Sequence, residues 1–169
     1  MKKNIFTIIL VFLATMQVFG QKNADFPSVE KFYNSVIENL KYYPDALQDS
    51  CIGTITLIKI HFDDNGELQS IDFSDSAQPV FVKYIQEIRN RLNFKSIYQD
   101  LKQKGHVDNK VLIPFQIDTE KMDECKSTIS STDLMKLYVF DGKPCAGEYF
   151  LYPYIYVRIV AGKEHEEHF

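Results

Sequence analysis

Apolar residues recur along this chain at helical and at alternating spacings, and each spacing predicts an element. In "FPSVEKFYNSVIENLKYYP", Val29, Phe32, Val36, Ile37 and Leu40 fall three or four apart, the period of one helical face. Pro27 or Ser28 opens this helix and Pro44 limits it. From Thr54 the period becomes two. "TITLIKIHF" is rich in β-branched residues and sorts Thr56, Ile58, Ile60 and Phe62 to one face, with Ile55, Leu57, Lys59 and His61 on the other. His61 stands on the more polar face with no second ligand in register, which is the pattern of a strand histidine and not of a metal site.

Asp63, Asp64 and Asn65 follow as three consecutive oxygen donors. A calcium loop of twelve residues needs donors at alternate positions and a closing Glu. Counted from Asp63, the twelfth position is Ser74, so the spacing fails. Asn65-Gly66 between two alternating runs is instead a hairpin signal, because both residues tolerate positive φ. "ELQSIDF" returns as the second strand. The next segment predicts a helix with Phe81, Ile85, Ile88 and Leu92 buried, Tyr84 at the edge of the stripe, and Glu87 paired to Arg91 on the wet face. "SIYQDLKQKGHVDN" is a polar connection with room for one more helical turn. "KVLIPFQIDT" is a third strand, and Pro114 inside it predicts a sheet edge or a bulge. Beyond it, "DLMKLY" has a weak helical period, "DGKPCAGEY" has the composition of a turn, and "YFLYPYIYVRIVAG" is a further strand interrupted by Pro153.

Composition changes this picture in one respect. Of 169 residues, 45% are hydrophobic and 14% aromatic, enough for a packed core. Net charge is -4 with no basic run longer than a pair, which argues against nucleic acid as a partner. Lys2 and Lys3, the apolar run "IFTIILVFLATMQVF" and the small residues Val18 and Gly20 have the layout of a signal peptide over residues 1–20. Its cleavage takes the charge from -4 to -6 by loss of two lysines, leaving no stable membrane insertion. Retention as an anchor is the alternative, since the run is close to the length of a bilayer span. Export, to the periplasm or the exterior, is the expectation.

An oxidising compartment bears on Cys51, Cys125 and Cys145. Three is odd, so at least one thiol lacks a partner within the chain. Cys125 and Cys145, in the same C-terminal stretch, are the preferred disulfide, worth about 3 kcal/mol by loop entropy; three buried thiols are the alternative. In the tail "KEHEEHF", His165 and His168 among glutamates are read as solvated charge. No nucleophile elbow, phosphate loop, H-E-x-x-H or metal-spaced Cys pair occurs, so neither enzymatic activity nor a cofactor is expected.

Tyr43-Pro44-x-Ala46 ahead of Gly53, the alternating strand, Gly66 with Leu68, Ile71 and Phe73, then Phe94, Lys104-Gly105 and Ile113-Pro114-Phe115 occur in one order. In that order and spacing, residues 43–117 resemble the TonB C-terminal domain family. The resemblance implies an α+β fold: a small antiparallel sheet of three to four strands with helices packed on one face. The domain then spans residues 26–118 with its N-terminal helix, and residues 119–169 form an extension that adds a strand. Gly53 and Gly66 imply registers one residue apart, which predicts a bulge in the first strand. Gly142-Lys143-Pro144 also resembles the turn before the family's last strand, so Tyr149–Val160 competes with Lys110–Ile117 for the closing position.

What the resemblance implies for function is strand addition: an extended peptide, such as a segment of an outer-membrane receptor, pairs with an open sheet edge. The implied contact residues are Tyr43, Pro44, Lys110, Leu112, Pro114 and Gln116. Anchor and Pro-rich linker, which the family's energy transducers carry, are not expected, so the chain reads as a binding module linked to TonB-dependent transport. The alternative is an assembly subunit that pairs through its Tyr-rich C-terminal strand.

Overall fold

A computed structural model describes residues 26–40, 51–106, 110–121 and 124–161. Helix α1 is Val29–Leu40, strands β1 and β2 are Thr54–Phe62 and Leu68–Phe73, and helix α2 is Pro79–Ile88. A 3-10 turn at Arg89–Arg91 leads to α3, Phe94–Gln103, and then to β3, Lys110–Lys121. Helix α4 (Ser131–Lys136), the short strands β4 (Val139–Phe140), β5 (Lys143–Pro144) and β6 (Phe150–Leu151), and β7 (Ile155–Ala161) complete the described chain. The fold class is α+β.

The main sheet has the order β2-β1-β3, with β6 and then β7 along the far side of β3. β1 is antiparallel to both its neighbours, whereas β6 and β7 run parallel to β3. The C-terminal strand therefore joins the sheet in the less common direction, after a connection of some thirty residues that carries α4 and the β4–β5 hairpin. A parallel neighbour needs such a crossover, since no tight turn can supply one.

The Asn-Gly hairpin forms as its residues dictate. Asp63 Oδ1 accepts from the Asn65 and Glu67 amides at 2.9 and 2.8 Å, and the Gly66 amide donates to the Asp63 carbonyl. Gly66 sits at φ +83 with the Tyr98 ring so close that a Cβ would lie 2.3 Å from it. Tyr98 also donates its hydroxyl to the Asp64 carbonyl at 2.7 Å, tying α3 to the turn. Gly66→Ala thus combines a strained φ with overpacking and is expected to cost about 2 kcal/mol, read as a lower urea midpoint at unchanged m-value. The register shifts between His61 and Phe62, which pair with Ser70 and Leu68. The expected bulge exists, but its extra residue is Gln69 of β2 and not a residue of β1. The cause is visible in "LQSIDF": Leu68 and Ile71 have opposite parity, and one extra residue lets both face the core.

Helices α1, α2 and α3 cover one face of the sheet. Phe32, Val36, Phe81, Ile85, Ile97 and Leu101 meet Ile58, Ile60, Phe62, Val111, Ile113, Phe115, Ile117, Ile155 and Val157 in a continuous buried cluster. Each such side chain contributes about 1.5–3 kcal/mol by leaving water. Ile37, placed by spacing on the α1 stripe, is 39% exposed; the buried line of this helix, just over three turns long, runs through Val29, Phe32, Val36 and Leu40. Glu87 lies 4.0 Å from Lys83 instead of pairing with Arg91, since the helix tightens to 3-10 at Arg89 and carries Arg91 off that face. "SIYQDLKQ" is a full helix in place of a connection. Asn93 caps it by accepting from the Ser96 amide.

Cys51 is bonded to Cys125, and Cys145 is a free thiol. The expected Cys125–Cys145 pair does not form. β1 and β3 are antiparallel, so the chain just before β1 lies beside the end of β3. There Lys121 pairs with Cys125 in a tight return, and Thr128 bridges Ile52. Cys145 is held elsewhere, its amide donating to the Tyr138 carbonyl beside the β4–β5 hairpin. That hairpin turns at Asp141-Gly142, both at positive φ (49° and 72°), as two-residue primed turns require. The Asp75 carboxylate accepts both turn amides, at 2.9 and 2.8 Å. Phe140 lies against Lys59, and Leu57 beneath this side of the sheet is 2% exposed.

Candidate binding surface

Lys110, Leu112, Pro114 and Gln116 all lie on β3, in the interior of the sheet. They do not form an open edge. Tyr43 and Pro44 lie outside the described residues, as do residues 1–20, expected to form a signal peptide, and His165 and His168. Pro114 is accommodated inside the sheet and not at an edge. The Tyr152 amide donates to the Leu112 carbonyl at 2.9 Å, so even-numbered residues of β3 turn their backbone groups toward β6 and β7. Pro114, two residues on, aims its missing N–H at the interruption between these strands. Across that interruption the partner chain spends one residue more than β3, and Pro153 sits within it. Two prolines thus share one gap, and neither spoils a ladder bond.

The sheet margins among the described residues are β2 and β7. β2 is defended. It is short and bulged at Gln69, and the Gln86 side chain donates to the Ile71 carbonyl on its outer side, devices that discourage further pairing. β7 is regular over seven residues, all paired to β3. In the parallel ladder its odd-numbered residues bond β3, so the backbone groups of Tyr156, Arg158 and Val160 point outward. The same even-numbered positions carry exposed side chains on the sheet face away from α1–α3. Tyr154 is 52%, Tyr156 42% and Val160 48% exposed.

This face is ordered by a ladder between β3 and the C-terminal strand. Tyr154 donates to Gln116 Oε1, Tyr156 to Asp118 Oδ2 at 2.9 Å, and Arg158 to Glu120 Oε2. Gln116 Nε2 donates on to Asp118 Oδ1 at 2.9 Å. Burial, followed by the Asp118 charge, pushes the Tyr154 hydroxyl above its ordinary pKa, and the bond to Asp118 does the same for Tyr156. Both hydroxyls stay neutral donors and hold the rings across the sheet. Gln116 therefore belongs to the surface through its side chain and not through an open backbone. The other members were missed; the only trace in the sequence is that "PFQIDTEK" and "YIYVRIV" both alternate polar with apolar, without saying that they pair.

At the far end of β7 the face opens into a cleft of about 540 Å³, lined by Glu120, Lys121, Glu124, Lys126, Arg158, Val160 and the disulfide-bonded Cys125. Lys121 and Glu124 are paired at 2.9 Å.

A second polar centre lies inside. Asp100, fully buried, accepts the Ser28 amide at 3.1 Å and the Tyr152 hydroxyl at 2.8 Å. It sits at the start of α1, where the helix dipole favours an anion. Tyr152 is packed edge-on against Phe26 and Phe32. This carboxylate joins α1 and α3 to the β6–β7 interruption and has no solvent path to act on a substrate, so its role is positional.

Among the described residues, no helix is long and apolar enough to cross a membrane, and no three His, Cys, Asp or Glu side chains are grouped to hold a metal ion. No family model, curated protein or solved structure matches the chain.

Proposed function

We propose that the chain is an exported binding module that takes an extended peptide or protein segment as an additional strand along the outer margin of β7. The observation that carries this reading is the row of outward backbone groups at Tyr156, Arg158 and Val160 beside exposed aromatic side chains, on a margin without the bulge and side-chain cap of β2. It keeps the mode of recognition implied by the likeness to the TonB C-terminal domain and moves it from β3 to β7. A disulfide between segments 74 residues apart supports an oxidising compartment. The assembly alternative uses the same margin. It is weaker, because a symmetric antiparallel pairing centred on the strand sets Arg158 against its own copy, and facing like charges oppose such a pair.

The test is selection of peptides on the purified chain, followed by Arg158→Pro. Proline at this outward position removes one N–H from the margin without touching the β3 ladder. Peptide affinity is expected to be about tenfold or more lower in Arg158→Pro than in Arg158→Ala, which loses the same side chain but keeps the amide. Recovery of no peptide, or equal binding by both variants, contradicts the reading. A concentration-dependent dimer in light scattering that Arg158→Pro dissolves favours the assembly reading instead.

A further inference from the structure

We infer that the segment taken up by β7 presents a carboxylate to the cleft at the Val160 end of the strand; this rests on the strand-addition reading and names the partner's chemistry. In a pleated sheet, residues in register on neighbouring strands share a face. Residues of an added strand opposite Tyr156, Arg158 and Val160 therefore point to the ladder face, and the one opposite Val160 points toward the cleft that Val160 lines. Along the rest of the margin, Tyr154 and Tyr156 offer aromatic surface whose hydroxyls are already committed to Gln116 and Asp118. The ligand's side chains there are accordingly aromatic or aliphatic.

The cleft differs in charge from the chain as a whole. The chain as a whole carries -4, but the cleft brings Lys121, Lys126 and Arg158 against Glu120 and Glu124. Arg158 is bonded to Glu120 and Lys121 to Glu124. Lys126 makes no ion pair among the described residues and is exposed at the cleft. Among the described residues the cleft lining carries one surplus positive charge, which suits a monoanion, and on a peptide that is a carboxylate. A strand parallel to β7 delivers its C-terminal carboxylate to this end, whereas an antiparallel strand delivers an Asp or Glu side chain.

Four fluorescein-labelled probes built on Thr-Val-Thr-Tyr-Thr-Val separate these cases by fluorescence polarisation with the full chain: the free acid, the amide, and amides carrying an added N-terminal Glu or Lys (Glu-amide and Lys-amide), since an antiparallel strand brings its N-terminal end to the cleft. The expected result is that the free acid, the Glu-amide or both bind about tenfold tighter than the plain amide, with the Lys-amide weakest. Preference for the free acid alone identifies a terminal carboxylate, and preference for the Glu-amide alone a side chain. Lys126→Glu is expected to erase the preference while the plain amide binds as before. Equal binding of all four probes overturns the carboxylate inference and leaves strand addition standing. Absence of binding by every probe counts against strand addition itself, and with it the inference.

Discussion

Substituting both bridged cysteines, Cys51→Ala with Cys125→Ala, is expected to lower unfolding free energy by about 4 kcal/mol. The bridge closes a loop across a sequence separation of 74, and loop entropy in the unfolded chain grows with the logarithm of that length. The closed segment contains β1, β2, α2, α3 and β3, so the bridge restricts most of the chain that builds the core. Reduction of the wild type should produce a similar loss in urea unfolding. Cys145→Ala should leave stability within about 0.5 kcal/mol, because that thiol takes part in no disulfide among the described residues. Peptide mapping of the unreduced chain should recover Cys51 with Cys125 and a single alkylatable thiol at Cys145. A Cys125–Cys145 fragment, or loss of stability in Cys145→Ala alone, contradicts the arrangement.

Replacing Asp100 by alanine is expected to cost about 3 kcal/mol. The side chain satisfies two buried donors, the Ser28 amide and the Tyr152 hydroxyl, and each donor left unpaired costs about 1–3 kcal/mol. Asp100→Asn retains one acceptor and should lose less. The damage should also be local: the start of α1 and the β6–β7 interruption meet at this carboxylate, so amides near Ser28 and Tyr152 should exchange faster than those of β1. Burial first, then the hydrogen bond to Asp100, raises the Tyr152 pKa above its ordinary 10.0. The associated stability is therefore fully present below pH 10 and is lost as pH climbs beyond it. Tyr152→Phe should flatten that alkaline decline.

The core was readable because burial imposes strict periods. Phe32, Val36, Phe81, Ile85, Ile58 and Ile60 are buried where spacing placed them, and the chain turns at Asn65-Gly66 as expected, although only Gly66 takes positive φ. The bulge was legible as a parity conflict, although parity alone does not say which strand yields the extra residue. Pairing between distant strands was not legible. Nothing in "KVLIPFQIDT" fixes its second neighbour, and Pro114 is compatible with an edge or with a gap facing it. The structure uses the gap, and that choice moved the open margin from β3 to β7. The cysteine pairing failed for a related reason. Nearness in sequence favours Cys125 with Cys145, but the antiparallel β1–β3 ladder brings Cys51 to Cys125. Tyr154, Tyr156 and Arg158 escaped notice as a site because their partners, Gln116, Asp118 and Glu120, lie 38 residues away.

Amide hydrogen exchange along β7, residue by residue, tests the central claim most directly. In the free chain the amides of Val157 and Ile159, bonded to β3, should be protected, while those of Tyr156, Arg158 and Val160 exchange fast. Saturation with a selected peptide should bring the latter three to comparable protection and leave the β2 margin unchanged. Protection of Tyr156, Arg158 and Val160 already in the free chain, or no change at these amides when the peptide binds, contradicts strand addition at β7.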